Sequence, residues 1–283
     1  MEASPTIFLI DNGSLRAEAT LALRCLAAQL SESIGRQVLP ISLLHSSKIP
    51  AIELFGKRAF TVKSALNQWV AAGERSFIFL PLFLGPSRAI TEYLPKLITE
   101  VRTQVPDLDV RIVPPLAGET IETPDLRLAE ILAAHVRQTL ASSHLRSAKV
   151  AVTDHGTPAP AVNRVRNVVA AQVRELLGNE VAAVAACSME RREGPAYAFN
   201  EPLLENLADL DGWQGSDLIV AMFFLLPGRH AGAGGDVAGI CEMLMQRAAF
   251  GSIQQTALMG AHPLLVEILT DRLNSALQTF GKC

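Results

Sequence analysis

This chain has no long hydrophobic runs, few cysteines and no concentration of charge of one sign, and each lack excludes a class of protein. Its apolar stretches are strand-length, roughly 6–9 residues, where a membrane-crossing helix needs about 20. The first residues, Met1-Glu2-Ala3-Ser4-Pro5-Thr6, carry no positive segment of the kind that opens a secretory signal. The expectation is a soluble, cytoplasmic protein that does not engage a membrane. The four cysteines, Cys25, Cys187, Cys241 and Cys283, never come as Cys-x-x-Cys. They suggest neither a disulfide framework nor a zinc knuckle, and reduced thiols are expected. Lys and Arg number 25 against 28 Asp and Glu, a net charge of −3, and no basic run or aromatic platform appears. Nucleic acid is therefore not an expected partner.

What is present is apolar sequence in regular doses. Of 283 residues, 49% are hydrophobic, enough for two ordinary domains with substantial cores. Unbroken apolar runs read as strands buried on both faces: 6–10, 38–44, 76–84 and 109–113 in the first half, then 149–153, 181–186 and 217–225. Between them the spacing predicts helices over 16–34, 62–72, 90–105, 162–177, 203–210 and 237–250, with a closing helix in each half. Strands alternating with helices predict an α/β fold built on parallel sheets.

The second half repeats the plan of the first. Asp11-Asn12-Gly13-Ser14 aligns with Asp154-His155-Gly156-Thr157, an offset of 155 − 12 = 143. Pro86-Ser87-Arg88-Ala89 aligns with Pro227-Gly228-Arg229-His230, an offset of 230 − 89 = 141. Val113-Pro114-Pro115-Leu116-Ala117-Gly118 is likewise paralleled by the stretch from Thr256. A tandem duplication follows, with its joint around Ser142-Ser143-His144 and lobes over 1–143 and 144–283.

Two histidines stand out against this frame. His155 follows the strand at 149–153, and His230 follows the apolar run that ends at Pro227-Gly228, just ahead of a glycine-rich loop to Asp236. The carboxyl ends of strands are where open α/β sheets bind ligands, and strands of one parallel sheet end on one rim. Asn12 and Ala89 hold the corresponding places in the first half, so one half keeps the imidazoles and the other lacks them.

With these motifs in place, the chain resembles the class II chelatases, especially the sirohydrochlorin cobalt- and iron-chelatases of cobalamin and siroheme biosynthesis. That family has a strand ending in Gly-His-Gly-Ser and a later Pro-Leu-Phe-Leu strand ending in Gly-Gly-His. Asp154-His155-Gly156-Thr157 and the run from Phe223 to His230 fit those places. Pro81-Leu82-Phe83-Leu84 fits the second motif in the first half, with Glu92 and Pro95 at family-like positions. Ala261-His262-Pro263 matches another recurrent feature, and the resemblance covers essentially the whole chain as two copies. It departs in the longer loops after Glu190 and after His230.

The resemblance implies two chelatase-like lobes with an active cleft between them, the first lobe serving as a wall. It implies that His155 and His230 bind the incoming divalent metal, Co²⁺, Fe²⁺ or Ni²⁺, as a substrate. Imidazoles suit such borderline ions, and two of them leave coordination positions for pyrrole nitrogens. Two pyrrole protons must depart, and Glu190 is the candidate acceptor or third ligand. Asp154 either orients an imidazole or caps the helix after it. A sirohydrochlorin-like substrate carries many carboxylates, which Arg229, Arg191 and Arg192, with Arg88, are placed to meet. No organic cofactor is called for, and a monomer of two lobes satisfies the scheme. The expected activity is metal insertion into sirohydrochlorin or a related tetrapyrrole. The alternative is a metal- or tetrapyrrole-carrying protein of the same fold. A flavodoxin-like or periplasmic-type binding protein fits the alternation but leaves the matched histidines unexplained. His45, His135 and His144 receive no role, and His262 a structural one.

Overall fold

A computed structural model describes residues 4–145 and 147–279. Its strands and helices alternate as the hydrophobic pattern requires, and they gather into two compact units. Cys283 lies outside the described residues.

The first unit contains β1 (Thr6–Asp11), α1 (Ala17–Ile34), β2 (Val38–Ser42), α2 (Val62–Ala71), β3 (Ser76–Pro81), α3 (Leu94–Arg102) and β4 (Asp109–Ile112). The sheet is wholly parallel, in the order β2-β1-β3-β4. Its central strands read Phe-Leu-Ile and Phe-Ile-Phe-Leu because helices cover both faces, so there is no polar alternation to keep. The second unit contains α4 (Arg127–Ser143), β5 (Lys149–Asp154), α5 (Pro160–Leu177), β6 (Ala183–Ser188), β7 (Asp217–Met222), α6 (Asp236–Gln246) and β8 (Ser252–Gln255). Its sheet is again parallel, in the equivalent order β6-β5-β7-β8. The two-lobed α/β fold expected from the sequence is thus the one found.

The duplication is legible in individual hydrogen bonds. Leu82 donates to the Ile10 carbonyl at 2.7 Å, as Phe223 does to Thr153 at 2.9 Å. Leu116 donates to Phe83 and Met259 to Phe224, at 2.9 and 3.0 Å. Ser42 donates to Phe60 and Ser188 to Pro202, at 3.0 and 3.1 Å. α1 and α5 are each 18 residues long, displaced by 160 − 17 = 143.

A cut at 143/144 separates the sequence repeats, but the compact units divide the chain elsewhere. The first joins the residues up to Glu119 with those from Pro263 on, and the second runs from Thr120 to His262. Helix α4, from the first repeat, packs on β7 and α5. Helix α7 (Pro263–Thr279), from the second, packs on α1 and β3. Each unit is therefore closed by the other repeat's last helix. The buried faces involved are long: Leu128, Ile131, Leu132 and Val136 on α4, and Leu265, Ile268, Leu269 and Leu273 on α7.

Local differences from the sequence pattern have physical reasons. Strand β8 escaped the pattern because Ser252-Ile253-Gln254-Gln255 is an edge strand with little apolar content. The helix expected over 90–105 begins as a π-helical turn, Ala89–Tyr93, before α3 takes over. The stretch near 203–210 closes into a 3₁₀ turn, Leu204–Asp209, instead of an α-helix. Cys187 and Cys241 are buried, and burial pushes their thiols up to about 12 and about 11, away from the reactive thiolate. Among the described residues, no helix is long and apolar enough to cross a membrane.

Candidate metal centre

β5 is flanked by β6 and β7, all running the same way, so the three strands end on one edge of the second sheet. His155 comes one residue after β5, Glu190 two residues after β6, and His230 follows the turn beyond β7. The topology brings these residues together from three separate places in the chain. The imidazoles of His155 and His230 lie with ring centroids 4.4 Å apart and planes at 64°.

Hydrogen bonding fixes what each ring offers. His155 Nδ1 is 2.9 Å from the Gly156 carbonyl oxygen, which only accepts, so Nδ1 carries the proton. Its Nε2 faces Glu190, whose Oε1 stands 3.3 Å away. His230 Nδ1 lies 2.7 Å from Asp236 Oδ2 and donates to that carboxylate. Asp236 starts α6 and also draws Arg229, whose Nε is 3.6 Å from the same oxygen. A carboxylate behind the far nitrogen of an imidazole fixes the ring's tautomer and raises the basicity of its other nitrogen. In both histidines Nδ1 is thus committed, which leaves Nε2 as the nitrogen a metal can use. Their side chains are 45% and 32% exposed, open enough for an ion to reach. Among the described residues, no group of three His, Cys, Asp or Glu side chains is arranged to hold a metal ion.

The loop carrying His155 is held by backbone packing from one side. The Glu190 amide donates to the His155 carbonyl at 3.2 Å. Gly156 takes φ +91, and a Cβ there would meet the Glu190 carbonyl oxygen at 1.9 Å, so the close approach requires glycine. Gly13 repeats this in the first unit, at φ +87, where a Cβ would meet the Leu44 carbonyl oxygen at 1.8 Å. From beneath, a buried polar network holds the same loop. Arg166, 1% exposed, reaches Ser188 Oγ at 2.6 Å and Asp154 Oδ1 at 3.4 Å. Asp154 accepts from Ser188 and from the Gly156 amide, at 2.7 and 3.1 Å. The Asn200 side chain bonds both the amide and the carbonyl of Thr157.

Sequence reasoning missed Arg166, Ser188 and Asn200. The available signal was a lone arginine on the apolar face of α5, flanked by Val165 and Val169 in the buried helical pattern. Asp154 supports the loop backbone; it touches neither imidazole and does not cap α5, whose cap residue is Ala159. Asp236, at the end of the longer loop, is the direct partner of His230.

The arginines differ in what they have free. Arg229 is 76% exposed beside His230. Arg191 is bound to Glu201 at 2.5 Å and to the carbonyls of Arg192 and Gly194. Arg192 lies over the Tyr197 ring, 5.8 Å from its centroid, and Arg88 pairs with Glu92 at 3.7 Å. In the first unit, Asn12, Leu44 and Ala89 line one cavity together with Arg88. The frame is the same there, but neither an imidazole nor a carboxylate stands where His155, His230 and Glu190 stand. His262 precedes α7 with its ring 5.4 Å from that of buried His135.

The CbiX family model matches residues 6–139 and again 149–276, one match per repeat. The chain belongs to the CbiX family. The resemblance drawn from the two histidine motifs is therefore correct, and so is its extension over two copies. Among solved structures the chain is similar to SirB from Bacillus subtilis with Fe³⁺, at 15% identity and a TM-score of 0.66, covering 98% of this chain and 97% of that one. It is similar also to the sirohydrochlorin chelatase SirB from Bacillus subtilis subspecies spizizenii in complex with cobalt, at 12% identity and a TM-score of 0.67, covering 99% and 98%. A third is CbiX, the terminal enzyme for biosynthesis of siroheme in denitrifying bacteria, at 16% identity and a TM-score of 0.57, covering 97% and 99%. At such identities these structures share the fold. None of the curated proteins compared matches the chain.

Proposed function

We infer that this protein is a chelatase that inserts a divalent metal ion into sirohydrochlorin or a closely related tetrapyrrole. The observation that carries the reading is the pair of imidazoles 4.4 Å apart, each with Nδ1 committed to a partner, on a chain that matches the CbiX family twice.

The metal is a substrate, so it must be held and then released. Neutral imidazoles bind Co²⁺, Fe²⁺ and Ni²⁺, and two of them leave open positions for pyrrole nitrogens to enter. As the ring takes up the ion it loses two N–H protons, and charge balances because the divalent metal replaces them. Glu190, 59% exposed and within 3.3 Å of His155 Nε2, is the base for a departing proton and a transient ligand for the arriving ion. Asp236 positions His230 and stays out of the coordination shell. Arg229 pairs with a peripheral carboxylate of the ring, and Arg192 can do so on leaving Tyr197. Arg191 does so only by giving up Glu201.

Purified protein mixed with sirohydrochlorin and Co²⁺, Fe²⁺ or Ni²⁺ in turn is expected to show the absorbance change of insertion with at least one ion. Metal binding with no turnover on any tetrapyrrole would instead assign a carrier.

A further inference from the structure

Three cations that pair with no carboxylate among the described residues stand beside an apolar surface in the first unit, whereas the histidines belong to the second. A cavity of about 350 Å³ is bounded by α1, the free edge of β2 and the strap 57–60. Leu39, Ile41, Phe60 and Trp69 give it an apolar lining. Trp69 is fixed edge-on to both Phe60 and Phe8, with centroids 5.6 and 5.5 Å apart, so this wall is rigid.

Three cations stand at the cavity: Arg24, Lys57 and Arg58. Among the described residues none of them pairs with a carboxylate. Arg24 donates to the carbonyls of Leu54, Lys57 and Arg58 at 3.1, 2.7 and 3.2 Å, which ties the strap to the helix and holds a positive charge in the wall. Burial lowers its pKa, and no acidic neighbour opposes that shift.

Comparison of the repeats shows that the fold does not require an apolar lining here. Position 23 is Leu where the second repeat has Arg166 (166 − 143 = 23), and position 60 is Phe where it has Pro202. In the second unit the corresponding positions carry the polar network of Arg166, Asp154, Ser188 and Asn200. The first repeat has an apolar hollow there and places its charges at the mouth.

We propose that this cavity is a second ligand site, taking a small aromatic carboxylate with its ring on the Phe60–Trp69 wall and its anion toward Arg24, Lys57 and Arg58. The volume falls in the range of small-molecule pockets, roughly 300–1,000 Å³, at the end that suits one ring and not a tetrapyrrole. An apolar lining alone would take a neutral ring equally well. Cations without a carboxylate partner favour the acid, since charge-assisted hydrogen bonds are the stronger kind.

Calorimetric titration of the full chain tests this, with trans-cinnamate as probe, cinnamamide as its neutral counterpart and inorganic phosphate as an anion without an apolar body. Cinnamate is expected to bind at one site with a Kd at or below about 1 mM, with cinnamamide about tenfold weaker or worse. Phosphate should give no heat at the same concentrations. Lys57→Glu with Arg58→Glu, both on the surface, should weaken cinnamate at least about tenfold and leave a Co²⁺ titration unchanged. With Trp213→Phe, Trp69 is the sole tryptophan, and cinnamate should quench it in step with the heat. Absence of cinnamate binding, equal binding of cinnamamide, or indifference to the charge reversals would each overturn the proposal.

Discussion

At the scale of single residues, the candidate site works by committing one nitrogen of each ring. Histidine titrates near neutrality and presents two different nitrogens, so the partner of Nδ1 decides what Nε2 can do. His155→Ala and His230→Ala are each expected to remove most Co²⁺ affinity and nearly all insertion, because one imidazole cannot hold the ion in place. Asn12→Ala should leave both close to wild type, an amide being a poor ligand for such a metal. Calorimetry beside insertion rates for the three variants separates the lobes; a loss with Asn12→Ala as large as with His155→Ala would move the active site to the first repeat. Asp236→Asn keeps both metal-facing nitrogens but weakens the hold on His230. It should lower metal affinity about 10- to 100-fold, as loss of an outer-shell partner does.

A second residue-scale effect belongs to the first repeat alone. Asp11 is the counterpart of Asp154 but has Leu23 in place of an arginine, and its Oδ1 is buried with no partner. Burial pushes its carboxyl up to about 6 from 3.8, against the opposing pull of the Ser42 hydroxyl and the Gly13 amide. The folded pKa lies above the unfolded one, so this group's contribution to stability is full below about pH 4 and lost as pH rises through about 6. Asp11→Asn should therefore stabilise the protein at pH 8 by up to about 3 kcal/mol and give no such gain near pH 4. Thermal melts at the two pH values check the sign.

At the scale of elements, the loop after β5 is over-determined. Gly156 admits the Glu190 carbonyl, and Arg166 with Asn200 holds the chain from below. Gly156→Ala sets a Cβ 1.9 Å from that oxygen and requires an unfavourable φ, so His155 and Glu190 must both shift. Insertion should fall much further than Co²⁺ affinity, since proton removal needs both groups in register. Gly35, also at positive φ but with open space around it, is the control; Gly35→Ala should cost only the backbone strain, of order 1 kcal/mol by denaturant titration. Arg166→Met strands Asp154 and Ser188 without their cation. Breaking a buried pair on one side costs about 3–5 kcal/mol, which a urea melt would show.

Most elements were legible in the sequence because buried parallel strands are unbroken apolar runs and helices repeat every 3.6 residues. Two were not: β8 escapes the pattern, and the spacing predicts a helix where the turn at Leu204–Asp209 forms, since both are fixed by neighbours, through pairing with β7 and packing on β6. The histidines were legible as a pair because each ends a strand. The Nδ1 partner of His230 was not, because Asp236 reaches it only through the turn of the loop at 231–235; nor was Asn200, which reaches Thr157 across 43 residues.

At the scale of the whole molecule, the exchange of closing helices makes a prediction about fragments. A piece cut at the repeat joint, 144–283, lacks α4, which covers β7 and α5 with Leu128, Ile131, Leu132 and Val136. It also keeps α7, whose apolar face belongs to the other unit. This piece is expected to aggregate or remain partly unfolded, whereas 120–262 should fold cooperatively and bind Co²⁺. Circular dichroism melts and metal titration of the two pieces decide between the boundaries.

The sequence by itself determined the class of fold, the duplication and which repeat carries the imidazoles, because hydrophobic period and motif offset are properties of the chain read along its length. It placed His155 and His230 on one rim, since parallel strands in one sheet must end together. Only the tertiary structure decided the partner of each Nδ1, the contact of Asp236 with His230, and the buried arginine under the loop. It also decided which helix closes which sheet. An amphipathic helix specifies that one face must be buried, but not against what, and two repeats of one design offer it two equivalent sheets.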